Sequence, residues 1–316
     1  MFHEARMGKA LNAKDALPIV EEISASVIRN PGAMISLARL KNKDNYTYMH
    51  SVAVCALMVA LARQLGLNNY QVHQAGLAGL MHDIGKTNIP LEIINKPGDL
   101  TEAEFRVMKN HTVEGHKILQ ESHGMSDIVL HVSLQHHEKV DGSGYPGKLT
   151  NEQIDLYAKL SAVCDVYDAI TSIRAYKNSW EPALSVRKMA EWSHGHFDQR
   201  IYEAFVRSIG IYPVGSLVRL ASDRLGVVVG QSEQSLLTPR IKVFFSITSN
   251  SRIPPEILDL SKPSCKDKIV SHEDPEKWDI HDIQELWSGL PAVPDADGNA
   301  FGLDALKRLD LSAPGK

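Results

Sequence analysis

The sequence predicts a mainly α-helical bundle followed by a small β-rich segment. Three observations carry this. Apolar residues recur at helical spacing from residue 18 to about residue 209. After Gly210 the texture changes to short β-branched or alternating runs set off by turn residues. Histidines and aspartates are scattered over separate helical stretches, and helical bundles build internal metal sites from such side chains.

The first helix is expected over residues 18–29, carrying Ile19, Val20, Ile23, Val27 and Ile28. Asn30-Pro31-Gly32 breaks it, and residues 33–40 start a second short helix. Residues 1–40 show no chemistry and read as a packing or dimer element. Asp44 is placed to cap a long amphipathic helix running to about Leu65, where Gly66 ends it. His50 sits early on that helix, with Val54, Leu57 and Leu61 on the same face. Taken alone, such a histidine reads first as a satisfied core residue.

Residues 71–81 form another helix, rich in Ala, Gly and Leu, which suits close packing. It ends in His82-Asp83-Ile84-Gly85-Lys86. An adjacent His and Asp can bind one ion together, and the Asp has a second oxygen for a neighbouring ion. The alternative is a histidine interacting with the helix dipole. Gly85 is expected in the left-handed conformation that stops a helix, with Lys86 pointing a mobile ammonium into the same space. After a loop with Pro90 and Pro97, Thr101-Glu102-Ala103-Glu104 matches a capping box. The helix it opens is expected to carry His111.

An apolar run over residues 128–135 leads into His136-His137-Glu138. The following Asp141-Gly142-Ser143-Gly144-Tyr145-Pro146 cannot continue a helix, because Gly is entropically costly there and Pro lacks an N–H. A helix thus delivers two imidazoles and breaks into a loop beside them. The next helix, residues 158–171, places Asp165 among apolar residues, which is costly unless the carboxylate is paired or bound to a cation. Arg174, Tyr176 and Lys177 follow its end, where the cations either cap the last carbonyls or hold an anion. Residues 181–209 close the bundle. Runs at 216–220, 225–229 and 241–247 read as a small antiparallel sheet, with 253–255 and 257–260 as its rim. From about Asp274 the chain reads as a mixed, partly mobile tail. The expected segments are 1–40, 41–209, 210–273 and 274–316.

With 316 residues, 43% of them hydrophobic, the chain can bury a sizeable core. A net charge of −4 argues against broad non-specific nucleic-acid binding. It leaves room for a small phosphate ligand, because a metal site supplies its own positive charge. Cys55, Cys164 and Cys265 are far apart and odd in number, which suits buried thiols in a reducing cytosol. No signal peptide is expected from the first residues. The apolar run 51–62 is too short to span a bilayer, so a cytoplasmic protein is expected. Fourteen histidines is a high number.

Seven side chains stand out: His50, His82, Asp83, His111, His136, His137 and Asp165. They exceed the coordination of one ion and fit two if Asp83 bridges. His50, His82, Asp83 and Asp165 would hold one, and Asp83, His111, His136 and His137 the other. Two ions roughly 3.5–4 Å apart suit phosphate-ester hydrolysis, and a metal lowers the pKa of bound water from about 15.7 to about 7. Asp83 and Lys86 are the catalytic candidates, with Lys86, Arg174 and Lys177 neutralising phosphodiester oxygens.

The ordered series resembles the HD-GYP proteins, a branch of the HD-domain metal-dependent phosphohydrolases. The resemblance rests on Tyr46 to Ser51, His82-Asp83-Ile84-Gly85-Lys86, Lys109-Asn110-His111, His136-His137-Glu138 with Asp141 to Pro146, Ala162 to Ala169, and Thr171 to Lys177. It covers about residues 40–208. It implies an HD-domain helical bundle with C-terminal HD-GYP helices. It also implies hydrolysis of cyclic di-GMP, a bacterial second messenger, to pGpG or on to GMP. By the same resemblance, Gly144, Tyr145, Arg174 and Lys177, with Asp44, hold guanine and phosphate groups, and the metals are iron or manganese. Some relatives carry a carboxylate one turn before the first histidine, which supports a third metal. That position is Tyr46 here, so two ions are expected. The motifs do not separate guanine from adenine in the second base pocket, which keeps 3′,3′-cGAMP as an alternative substrate. A catalytically idle cyclic-dinucleotide sensor is a further alternative. The Gly144-Tyr145-Pro146 surface is also a candidate docking site for a GGDEF-type cyclase.

Overall fold

The computed structural model describes residues 2–8, 10–29, 46–172, 180–232 and 234–289. Asp44, Arg174, Tyr176 and Lys177, the short helix expected at 33–40 and the tail from residue 290 lie outside the described residues.

Helices α1 (Phe2–Arg6), α2 (Ala13–Arg29), α3 (Tyr46–Gln64) and α4 (Asn69–Met81) come first. α2 begins five residues before the expected start at Pro18, because Ala13 and Ala16 are buried with Val20, Ile23 and Val27 on one face. α3 is the axis of the bundle. Every residue from Ser51 to Ala62 is buried, so this is not the amphipathic helix the spacing suggests. It is apolar on all sides because α2, α4 and later helices surround it. Gly66, at φ +74°, closes its end. α4 starts at Asn68 and Gln71, which cap each other's backbone N–H groups in a reciprocal box.

A 3₁₀ turn, Ile84–Asn88, follows α4. Gly85 in this turn is not left-handed, contrary to expectation. Its glycine is required by close approach instead. A Cβ there would lie 1.9 Å from the His111 carbonyl oxygen and 2.3 Å from the Gly115 nitrogen. Next come α5 (Leu91–Ile94), α6 (Glu102–Lys109) and α7 (His111–Gln120). Thr101 and Glu104 form the expected capping box on α6. α6 closes at Asn110, so His111 opens a new helix rather than riding on α6. The break lets α7 lie against the 84–88 turn and against α8 (Asp127–Gln135). α9 (Leu156–Thr171), α10 (Pro182–His196) and α11 (Gln199–Ile209) complete the bundle. Cys55 and Cys164 are free thiols inside it.

Five strands follow: β1 (Leu217–Leu220), β2 (Arg224–Gly230), β3 (Arg240–Ser246), β4 (Ser251–Asp259) and β5 (Ile269–His272). They form one antiparallel sheet in the order β4-β3-β2-β1-β5. The expected rim is one continuous nine-residue edge strand, β4, which tolerates Pro254 and Pro255 because an edge need not donate on both sides. β5 was not expected. Alternate residues split between two faces, with Val218, Val228, Ile241 and Val243 on one, and Leu217, Leu225, Val227 and Phe244 on the other. Of the mixed, partly mobile tail expected from Asp274, residues 274–289 are described and carry regular structure. They form a 3₁₀ turn, Pro275–Trp278, and α12 (Ile283–Ser288), whose Leu286 covers the second face. Trp287 packs against the helical core and both sheet clusters.

Gly85→Ala and Gly66→Ala separate the two uses of glycine. Gly66 has open space where a Cβ would go, so only its dihedral resists, at about 1 kcal/mol. Gly85→Ala must displace backbone and is expected to cost about 3 kcal/mol or more. Urea unfolding of both variants measures the difference.

Candidate metal centre

Three histidines reach the interior by one local device. His82 caps the C-terminus of α4, His136 caps the C-terminus of α8, and His111 follows the last turn of α6. A helix end leaves carbonyls without partners. In each case Nδ1–H donates to one of them: His82 to Gly79 (2.8 Å), His111 to Met108 (2.7 Å) and His136 to Val132 (2.9 Å). That bond fixes the tautomer and leaves Nε2 as a lone pair aimed away from the helix.

The freed nitrogens converge on Asp83. Its Oδ2 lies 3.4 Å from His50 Nε2 and 3.3 Å from His82 Nε2. Its Oδ1 lies 3.4 Å from His111 Nε2 and 3.8 Å from His136 Nε2. Each carboxylate oxygen thus faces its own pair of imidazoles. Asp165, buried on α9, turns Oδ1 to His50 Nε2 (3.1 Å) and Oδ2 towards His137 Nδ1 (4.0 Å). The structure brings all seven of the singled-out residues to one place. Two groups have ligand atoms within 4.8 Å of one another: His50, His82 and Asp83, and His111, His136 and His137.

The donor set suits cations. His82 Nε2 and Asp83 Oδ1 are buried with no hydrogen-bond partner among the described residues. The Nε2 atoms of His111 and His136 stand 3.3 Å apart, and each carries a lone pair because each Nδ1 holds the proton. Two lone pairs at that distance repel unless a positive charge sits beside them. Burial holds His111 down at about 4 and His137 at about 3, so both imidazoles are neutral at neutral pH. Burial also lowers His136, helped by the neighbouring histidines. His50 differs. Burial opposes its charge, but hydrogen bonds to Asp165, Asp168 and Asp83 prevail and raise it to about 10. A proton on His50 and a metal ion neutralise the same carboxylates and are alternatives.

Two contributors escaped the sequence reading. Asp168 Oδ2 accepts Nδ1–H of His50 at 2.6 Å, orienting that ring as backbone carbonyls orient the others. Its signal is the three-residue step from Asp165 along one helix face. Glu138 is buried, and its carboxylate accepts from Gly147 N–H (2.5 Å) and Leu149 N–H (3.0 Å), pinning the Gly-Tyr-Pro loop from inside. No side-chain pattern announces such a partner. Gly144 packs against the Glu138 backbone, where a Cβ would lie 2.5 Å from Glu138 Cα. Tyr145 therefore stacks on His137, with centroids 4.8 Å apart. Lys86 pairs with Asp83 Oδ2.

A model of the HD domain matches residues 30–201. A cyclic di-GMP phosphodiesterase of Pseudomonas aeruginosa is 54% identical over 290 residues, which is 92% of this chain and 70% of that protein. The chain belongs to the HD-domain family. The family is metal-dependent. A 3′3′-cGAMP-specific phosphodiesterase of Vibrio cholerae is 37% identical over 177 residues, 56% of this chain and 41% of that protein. Among solved structures, an HDG"Y"P protein from Bdellovibrio bacteriovorus shares the fold at a TM-score of 0.53 and 20% identity, over 61% of this chain and 62% of that one. Among the described residues, no helix is long and apolar enough to cross a membrane.

Glu138→Ala is expected to leave two loop N–H groups without their acceptor, costing about 2–4 kcal/mol in urea unfolding. Hydrogen exchange at Gly147 and Leu149 should accelerate in the same variant. Unchanged exchange there removes Glu138 as the anchor of the loop.

Proposed function

We propose that the chain is a metal-dependent phosphodiesterase that hydrolyses cyclic di-GMP to pGpG or on to GMP. The observation that carries the reading is Asp83, buried with one oxygen towards His50 and His82 and the other towards His111 and His136. The 54% identical relative named for that activity supports the substrate class.

In this reading His50, His82, Asp83 and Asp165 would hold one divalent ion, and Asp83, His111, His136 and His137 a second, both iron or manganese. When bound, the ions supply an acidified water and positive charge for the phosphodiester oxygens. The chain's own residues do the rest. Asp83 holds Lys86 at the edge of the centre, where its ammonium meets a phosphate oxygen. Asp168 keeps His50 Nε2 pointed inward. Glu138 and Gly144 set Tyr145 on His137, and Tyr145 then contacts the nucleotide. Arg174, Lys177 and Asp44 join as further substrate contacts by resemblance. Residues 41–209, including the C-terminal HD-GYP helices, form the catalytic unit, with 1–40 before it and the β-rich 210–273 and the tail after it. The protein works in the cytoplasm, where the Gly144-Tyr145-Pro146 surface is available to a GGDEF-type cyclase or to a second copy of the chain.

Protein purified under reducing conditions with Mn²⁺ or Fe²⁺ is expected to convert cyclic di-GMP to pGpG or GMP on chromatography. Asp83→Ala should lower turnover by more than about 100-fold. Tight binding without turnover would instead make the chain a sensor, and cleavage of 3′,3′-cGAMP alone would move the substrate assignment. Metal analysis should return two ions per chain, and three would overturn the stoichiometry. Asp168→Asn is expected to weaken one of the two ions about 10–100-fold and spare the other, read by competition with a chelator.

A further inference from the structure

The rings around the loop continue outward past Tyr145. His137 stacks on Tyr145, and Tyr145 meets Phe105 of α6 in a near-perpendicular contact, with centroids 6.4 Å apart at 80°. Phe105 is 45% exposed, so part of its ring is open to a ligand. Lys109, one turn along α6, sets its ammonium 4.6 Å from the Phe105 centroid and 5.2 Å from that of Tyr145. Lys109 has no carboxylate partner among the described residues, although Glu102 and Glu104 lie on the same helix. Glu104 is engaged by Lys96 and by the Thr101 cap. Two rings hold the ammonium in place through their negative faces, but they leave its N–H donors without acceptors.

A half-exposed aromatic ring with a displaceable ammonium resting on it is a site for a purine base. Resting on the cyclic di-GMP reading above, we propose that Phe105 and Lys109 form a base platform that selects guanine. A phosphodiester at the metal centre projects its ribose and base outward past Tyr145. One base then takes the ammonium's place on Phe105, and Lys109, swung aside on its flexible stem, meets its Hoogsteen edge. Guanine presents two acceptors there, N7 and O6, whereas adenine presents N7 beside an N6 donor. An ammonium has only donors, so it favours guanine. Neither residue touches the reacting atoms, so both act in binding and specificity rather than in the chemical step.

Three variants test this in the full chain loaded with Mn²⁺. Phe105→Ala should raise KM for cyclic di-GMP about tenfold, the equivalent of about 1.4 kcal/mol, with kcat kept, as expected for a contact made equally in ground and transition states. Lys109→Met keeps the apolar stem against the rings and should cut the preference for cyclic di-GMP over cyclic di-AMP about tenfold. Phe105→Trp should retain the wild-type KM, and the introduced indole should be quenched on titration with cyclic di-GMP beyond any change from the four native tryptophans. Wild-type KM and base preference in both Phe105→Ala and Lys109→Met, or no added quenching in Phe105→Trp, overturns the platform while leaving the activity standing. Absence of cyclic di-GMP turnover in the wild type overturns the activity itself, and this inference with it.

Discussion

Three carboxylates, Asp83, Asp165 and Asp168, are buried together, and among the described residues Lys86 is the one lysine paired with any of them, through Asp83. Everything else in the molecule is arranged around that imbalance. Like charges in a low-dielectric interior repel far more strongly than they do in water, and each also loses its hydration. The bundle answers with imidazoles rather than with more cationic side chains. His50 can meet the carboxylates as a cation, whereas the neutral imidazoles of His111, His136 and His137 cancel no charge but supply lone pairs where positive charge can be shared. The interior is thus built for cations from outside the chain. α3, buried from Ser51 to Ala62, and the helices wrapped round it keep the groups from relaxing apart.

Secondary structure and site chemistry are coupled at the helix ends. A helix must find partners for its last carbonyls. Here histidines supply them at three ends and, in doing so, lose their rotational and tautomeric freedom. The two readings left open for His82, helix-end partner and ion ligand, are compatible, because Nδ1 serves the helix end and Nε2 stays free for a cation. The tight junction at Gly85 serves the same end, bringing the α4 terminus against the start of α7 so that His82, Asp83 and His111 share one space.

The seven central residues were legible because polar side chains in apolar helices break the periodicity around them. The bundle and three of the five strands were legible from the same periodicity. What escaped did so for physical reasons. Asp168 looks like any acid near a helix end until His50 is seen beside it. Glu138 bonds backbone N–H groups, which have no identity in a sequence. The role of Gly85 comes from a tertiary approach, whereas composition alone suggested a positive φ. Pro254-Pro255 read as one of two pieces of the sheet's rim, and the rim is one unbroken strand because an edge has room for residues that cannot donate. β5 and α12 are too short for a period to emerge. Lys109 and Phe105 sat inside motifs that the eye resolved only as far as His111.

Trp287 carries a mechanical implication. One indole is shared by the helical core and both faces of the sheet, so neither part can loosen without dewetting and rewetting the same ring. Helices and sheet are therefore expected to melt as one cooperative unit and not as beads on a string. The sheet then acts as ballast for the bundle: a disturbance at the far edge strand is felt as a change in the free energy of the whole.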